Sequence, residues 1–354
     1  MKHSKDYFRK RVSKFRKIFA LMKVDGFVIE NPTDLYYFLG LKVSRGRFLV
    51  TEKDATLFVD GRYQEVARKC APFPVKPLER KSLEETLKKS KGKVFGFDQE
   101  LSIRAYKELK GSFLSEKKKL KGFDEPTLRL RMIKDPKELA LIKKSGDLLW
   151  KGFLHVRKKL KVGISELELA REFEFFVKKN GAEALSFEPI VAFGSNSALP
   201  HHHSSTRKLK KDEVVLFDLG VMLDGYASDM TRTLFFGKVS KRIEEIYRIV
   251  RKAHDAALKK CKAGIQIAQL DKLARKAMGK EEKYFLHSLG HGIGLNVHEY
   301  PRISSKVKKG KLEEGMVITI EPGLYLPNIG GIRYEDMIII TKNGYRNLFK
   351  DTLP

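Results

Sequence analysis

Acidic residues stand where apolar strands end. In VVLFDLGVMLDGYASDMTRT (214–233), Asp218 follows four apolar residues, and Asp229 lies eleven positions on (229 − 218 = 11). In VITIEPGLY (317–325), Glu321 closes an apolar run at a Pro-Gly turn, and in GIRYEDMIII (331–340), Glu335 and Asp336 open another. A carboxylate beside a core is costly unless something positive meets it. Three histidines, His287, His291 and His298, lie in the glycine-rich FLHSLGHGIGLNVHEYPR (285–302). Glycines 290, 292 and 294 permit close backbone approach and sharp turns, which suits a substrate channel.

Strand arithmetic brings these groups together. Asp224-Gly225 is a hairpin signal, and a two-residue turn on Leu223-Asp224 or on Asp224-Gly225 leaves Asp218 and Asp229 on one sheet face. In the first case they oppose each other directly; in the second they are diagonal neighbours. The side chains of Glu335 and Asp336 point to opposite faces, so only one can face inward. A hairpin centred on Asn328, the midpoint of 321 and 335, would set Glu321 opposite Glu335. Four carboxylates and one neutral imidazole carry a charge of −4, which balances two divalent cations. Hard oxygen ligands with a single nitrogen suit Mn²⁺, Co²⁺ or Fe²⁺ better than a tetrahedral structural zinc. Such a pair of metals activates water and clamps a tetrahedral intermediate.

The elements that must position these groups divide the chain in two. At 354 residues the length fits about two domains, and a 42% hydrophobic content supports sizeable cores. The first part alternates strands at GFVIE (26–30), RFLV (47–50), TLFVD (56–60) and KVFGF (93–97) with helices near 34–39, 63–70, 83–89 and 102–110. Phe8, Val12, Phe15, Phe19 and Met22 repeat at helical spacing, so the basic N-terminal stretch is read as a packed first helix and not a secretory signal. Residues 1–123 are expected to form this α/β domain, with a linker over 124–134 and a second domain over 135–354. Asp135 suits an N-cap, Pro136 the first helical position and Glu138 the box position three beyond the cap. Within the second domain, KVGISELELAREFEFF and KAGIQIAQLDKLARKA begin 101 residues apart (262 − 161 = 101), as two similar α/β halves would.

Composition narrows the setting. Cys70 and Cys261 belong to no metal or redox spacing, which fits a reducing, cytoplasmic compartment. No run approaches the roughly 18 apolar residues that span a bilayer, so no membrane partner is expected. The formal charge of +28 raises the prospect of nucleic acid. The basic residues are however dispersed over both halves and interleaved with acids, without stacking aromatics. A solvated Lys-rich surface with no nucleic-acid partner is the reading.

These residues resemble the pita-bread metallopeptidases, and most closely the Xaa-Pro dipeptidases (prolidases) and aminopeptidase P. The likeness spans roughly 130–350 and is carried by NSALPHHH, DMTRT, HSLGHGIGLNVHEYPRIS, EGMVITIEPGLYLP and GGIRYED. It implies a small N-terminal creatinase-type α/β domain followed by a pita-bread domain with pseudo-two-fold α/β halves. It also implies a cytoplasmic homodimeric hydrolase, carrying two divalent metals, Mn or Co before Fe or Zn. The metals would be held by Asp218, Asp229, His291, Glu321 and Glu335. The resemblance assigns hydrolysis of the bond before proline in dipeptides or short peptides, through a metal-bridging hydroxide with Glu321 as general base. His298 and His201 would serve the intermediate, His287 would line the pocket, and Arg302 and Arg333 would lie near the substrate carboxylate and the metals respectively. His202 and His203 receive no role beyond loop polarity. Methionine aminopeptidase shares the ligands but usually lacks the large N-terminal domain. Creatinase and the pita-bread binding modules lack the ligands that are intact here.

Overall fold

In a computed structural model of the protein, which describes residues 4–349, the chain divides into two units between Leu130 and Arg131. The first unit is built on a six-stranded sheet in the order Val75–Pro77, Ala55–Val59, Gly46–Thr51, Gly26–Ile29, Val94–Asp98 and Lys119–Phe123. The two-residue period of the strands sends successive side chains to opposite faces. Phe27 and Phe48 therefore join Phe15 and Phe38 beneath the helices Lys5–Arg16 and Pro32–Leu39. Val28, Leu49 and Phe95 pack on the other face with Leu83, Leu87, Leu109 and Phe113 of the helices Arg80–Lys89 and Ile103–Ser115. Both faces are covered, which is why Gly26–Ile29 is buried at every position.

The two outer strands are additional to those expected from the sequence. Val75–Pro77 ends in proline, and Lys119–Phe123 carries two lysines and is only partly buried. Short, charged or proline-bearing strands are how sheet edges avoid pairing with other chains, and those traits hide their apolar signal. The expected first helix is also interrupted. It ends at Arg16 and resumes only as Phe19–Met22, so Met22 is half-buried and not part of one continuous stripe.

The stretch expected as a linker is partly folded. A short helix covers Leu128–Met132, and Ile133 bridges to Met316 while the Lys134 N–H donates to the Gly315 carbonyl. Next comes the long helix Pro136–Arg157, opened by a reciprocal capping box between Asp135 and Glu138 with Pro136 at its first turn. Ile142, Leu149, Phe153 and Val156 recur on its buried face, as the helical period requires.

The second unit repeats itself. Helices Pro136–Arg157 and Glu166–Lys179 pack together, as do Lys241–Leu258 and Ile267–Met278. The Lys-x-Gly-Ile turns between them use Gly163 at φ 86° and Gly264 at φ 90°. Ser165 bridges to Lys208 and Gln266 to Lys311, so each turn is closed by a returning chain. Each half then supplies three antiparallel strands in matching order: Met230–Phe236, Glu213–Leu219 and Ile190–Phe193 in one, Asp336–Ile340, Val317–Ile320 and Gly290–Gly292 in the other. The offset grows from 101 residues at the helices to 103 in the segments that return toward the central strands, where 312 − 209 = 103 for the leucines whose N–H groups close the two turns.

Candidate metal centre

Equivalent places in the two halves carry the four acids. Asp218 lies at the end of Glu213–Leu219 and Glu321 directly after Val317–Ile320, again 103 apart (321 − 218 = 103). Asp229 immediately precedes Met230–Phe236, and Glu335 immediately precedes Asp336–Ile340. Chain reversal sets the registers. Leu223 pairs with Tyr226 around Asp224-Gly225, whose φ angles of 51° and 82° make the tight turn. That register puts Thr231 opposite Asp218 and makes Asp229 its diagonal neighbour. In the other half Ile320 pairs with Asp336 and Gly323 with Arg333, both summing to 656, so Glu321 and Glu335 share one level with Asn328 at the centre of the hairpin. Asp336 points away and pairs with Arg232 at 2.6 Å.

His291 enters between backbones. A side chain at Gly290 would meet the Thr319 carbonyl oxygen at 2.0 Å, and one at Gly292 the Tyr300 carbonyl oxygen at the same distance. These glycines let the His291 strand lie against its neighbours; packing, not a channel, requires them. The Nδ1 of His291 is 3.0 Å from the Gly292 carbonyl oxygen, so it carries the proton and leaves the Nε2 lone pair free. That Nε2 lies 3.4 Å from Glu321 Oε1 and 3.6 Å from Asp229 Oδ2. Ligand atoms of Asp229, His291 and Glu335 fall within 4.8 Å of one another.

The electrostatics follow from crowding. Burial, then the neighbouring carboxylates, hold the pKa values of Asp229, Glu321 and Glu335 well above the ordinary range. Burial likewise lowers His291 to about 4 and His287 to about 3, so both imidazoles are neutral at neutral pH. Buried oxygens Asp218 Oδ1, Asp229 Oδ1 and Glu335 Oε1 accept no hydrogen bond. Orphaned carboxylate oxygens beside a bare imidazole nitrogen are an uncompensated arrangement that divalent cations would satisfy. The donor set therefore fits such metals.

Supporting contacts surround this centre, and several escaped sequence reading. Thr231 Oγ1 donates to Glu335 Oε2 at 2.7 Å. Thr319 Oγ1 lies 3.3 Å from Glu321 Oε1 and accepts the His291 N–H at 3.1 Å. Thr319 stands two residues before Glu321, so the strand period was the available signal. Tyr325 was not singled out either; its hydroxyl lies 2.8 Å from His287 Nε2 and accepts from Arg333 Nη1 at 2.7 Å.

The expected substrate-side residues separate by exposure. Arg333 is buried and donates to Asp218, Thr231 and Tyr325, so it faces the acids as a counter-charge inside the fold. Arg302 is exposed, and its Nε donates to Ser288 Oγ beside His287. The His298 ring stands edge-on to His291 with centroids 4.4 Å apart. His201 lies close enough to His287 and His298 to disfavour their protonation. His202, expected to add only loop polarity, is nearly buried against Glu166 at 2.8 Å. His203 is exposed, as is His201, and only His202 of the three turns inward.

A two-half α/β unit with a carboxylate-rich centre, preceded by a smaller α/β unit, defines a class of metal-dependent hydrolases. Residues 140–342 match the model for metallopeptidase family M24, and residues 11–133 that for the creatinase/prolidase N-terminal domain. The chain belongs to metallopeptidase family M24. It is 37% identical over 349 residues to an Xaa-Pro dipeptidase of Pyrococcus horikoshii, covering 98% of each. An Xaa-Pro dipeptidase structure from Bacillus anthracis superposes with a TM-score of 0.93 at 32% identity, over 98% of this chain and 99% of that one. An X-Pro aminopeptidase structure from Thermotoga maritima MSB8 gives 0.87 at 32% identity, over 96% and 98%.

Proposed function

We propose that this protein is an exopeptidase that hydrolyses the bond between an N-terminal residue and proline, using two divalent metals, Mn or Co before Fe or Zn. The observation that carries the reading is the gathering around His291 Nε2 of the acids Asp229, Glu321 and Glu335, of which the buried Asp229 and Glu335 each keep an oxygen that accepts no hydrogen bond. Asp218 would hold one metal, His291 and Glu321 the other, and Asp229 and Glu335 both. Bound there, the cations would supply a water nucleophile deprotonated near neutral pH and a Lewis acid for the scissile carbonyl.

The chain's own groups then divide the remaining work. Glu321 Oε1 faces His291, which leaves Oε2 to take the proton of the attacking water and pass it to the leaving nitrogen. His298, beside His291, would donate to the developing oxyanion, and His201 would steady the scissile amide from the opposite loop. His287, held by Tyr325 and the Ser288 carbonyl, forms a neutral pocket wall. Arg302, exposed and aimed by Ser288, suits the free carboxylate of a dipeptide, which favours dipeptidase over aminopeptidase action. Hydrolysis of Xaa-Pro and Xaa-Pro-Xaa peptides by chelated and by Mn²⁺- or Co²⁺-loaded protein tests this. Metal-restored cleavage, faster on the dipeptide, is expected; full-rate cleavage by the chelated protein would sink it.

The same reading makes the protein a cytoplasmic homodimer whose charge is surface chemistry and not a nucleic-acid or membrane footprint. No helix among the described residues is long and apolar enough to cross a membrane. Helix surfaces pair their cations with acids four residues away, as in Glu65–Lys69, Arg80–Glu84, Arg104–Glu108 and Lys143–Asp147. Duplex binding that persists at physiological salt would contradict the surface reading.

A further inference from the structure

We infer that Glu166 and His202 form a positioning pair that fixes the place of His201 beside the carboxylate centre. The inference rests on the reading above, in which His201 serves the substrate. Glu166 is the first residue of the helix Glu166–Lys179 and is fully buried. It is not needed to cap that helix. Ser165 and Glu168 already form a reciprocal capping box there.

Its carboxylate instead gathers the loop from Phe193 to Ser205. Oε1 accepts the Phe193 N–H at 2.8 Å and the Asn196 side-chain amide at 2.9 Å. Oε2 accepts from His202 Nε2 at 2.8 Å and from the N–H and hydroxyl of Ser205 at 3.0 and 2.6 Å. Both feet of the loop and its middle thus converge on one charged acceptor, and hydrogen bonds to charge are the strong ones. Helix packing fixes the acceptor itself, so the loop inherits a rigid reference point.

The far side of the loop meets the centre. Ser197 Oγ accepts the Gly331 N–H at 2.8 Å, and the Pro200 carbonyl accepts from Arg333, whose other nitrogen reaches Asp218. His201 follows Pro200 directly and precedes His202. Neighbouring side chains leave the backbone in different directions, so a His202 ring locked onto Glu166 leaves His201 to face His287 and His298. A catalytic side chain displaced by about 1 Å can lose on the order of 10²-fold in rate. Glu166 and His202 act through His201 and touch no substrate themselves.

The test combines kinetics with a signal that needs neither metal nor substrate. His202→Ala and His202→Gln are made in the native and His201→Ala backgrounds, loaded with Mn²⁺ and assayed on one Xaa-Pro dipeptide. His202→Ala should lower kcat by about tenfold or more with KM little changed. His202→Gln places an amide N–H near the same position and should recover most of that loss. In the His201→Ala background His202→Ala should cost less than about twofold, because coupled residues are not additive. In metal-free protein, the NMR signals of the His201 ring should shift and broaden in His202→Ala and return in His202→Gln. Equal losses in both backgrounds, or unmoved His201 signals, would overturn the proposal. Absence of turnover in the unaltered protein would count against the Xaa-Pro reading alone, since the ring signals decide the positioning independently.

Discussion

Glu166 and Glu335 are both carboxylates sealed from water, and the fold treats them in opposite ways. Burial pushes the Glu166 carboxyl up, but Ser205, His202, the Phe193 N–H and Asn196 outweigh it, and its pKa ends below the ordinary value. Glu335 has one hydroxyl donor, an oxygen with no partner, and Glu321 and Asp218 as like-charged neighbours; it ends well above. Glu299 resembles Glu166. Although buried, it is brought below the ordinary value by Lys134 and Arg131. The difference separates two uses of a buried acid. Where the protein supplies every donor, the acid holds a loop; where it withholds them, the proposed cations would complete the site.

The largest effects should come from the withheld side. Glu321→Gln removes both a ligand charge and the proposed proton acceptor, and should cost on the order of 10³-fold or more in kcat. His298→Ala removes no ligand, so the metal content should stay unchanged while kcat falls on the order of 10²-fold. Steady-state kinetics beside metal analysis of the same preparations checks both. Metal loss in His298→Ala would mean that its ring, and not only that of His291, holds the cations.

Stability against pH sharpens the contrast at smaller scale. In the metal-free protein, Asp229, Glu321 and Glu335 keep protons at pH values where the unfolded chain, with carboxylates near 4, has lost them. The folded state then binds more protons than the unfolded one, so stability falls as pH rises above about 4 until the raised values are passed. Metal-free Tm should be lower at pH 8 than at pH 5, and Mn²⁺ should raise it more at pH 8. Asp229→Asn relieves the repulsion and should lift the metal-free Tm at pH 8 by about 2–4 °C while cancelling the gain from Mn²⁺. Glu166→Gln should behave in reverse. Its lowered pKa contributes stability above about 4 that is lost only as pH falls through the folded value, so the variant should lose about 2 kcal/mol at neutral pH whether or not metal is added. Calorimetry across pH that gave the two variants the same sign would erase the distinction.

Much of the centre was legible because its logic is local. A hairpin turn and a strand period of two fix which residues share a face or a level, so Asp218 and Asp229 on one face and Glu321 opposite Glu335 follow from counting. The capping box at Asp135 is equally local, and so is the repeated Lys-x-Gly-Ile turn. What resisted reading was decided between distant segments. The two edge strands of the first unit have no apolar pattern of their own, and only the completed sheet makes them strands.

By itself the sequence determined the acids at the strand ends, the face that Asp218 and Asp229 share, the level of Glu321 and Glu335 and the charge that two cations would balance, because turns and alternation act over a few residues. Only the tertiary structure decided which nitrogen of His291 is free, that Arg333 faces Asp218 from inside, and that His202 is anchored. The Gly292 carbonyl selects the first, a strand register 115 positions away the second, and a helix 36 positions upstream the third. The last two sets of partners are so far apart that they leave no period or spacing in the chain. They exist as partners only after the hydrophobic cores of the two halves have packed and brought their elements within reach.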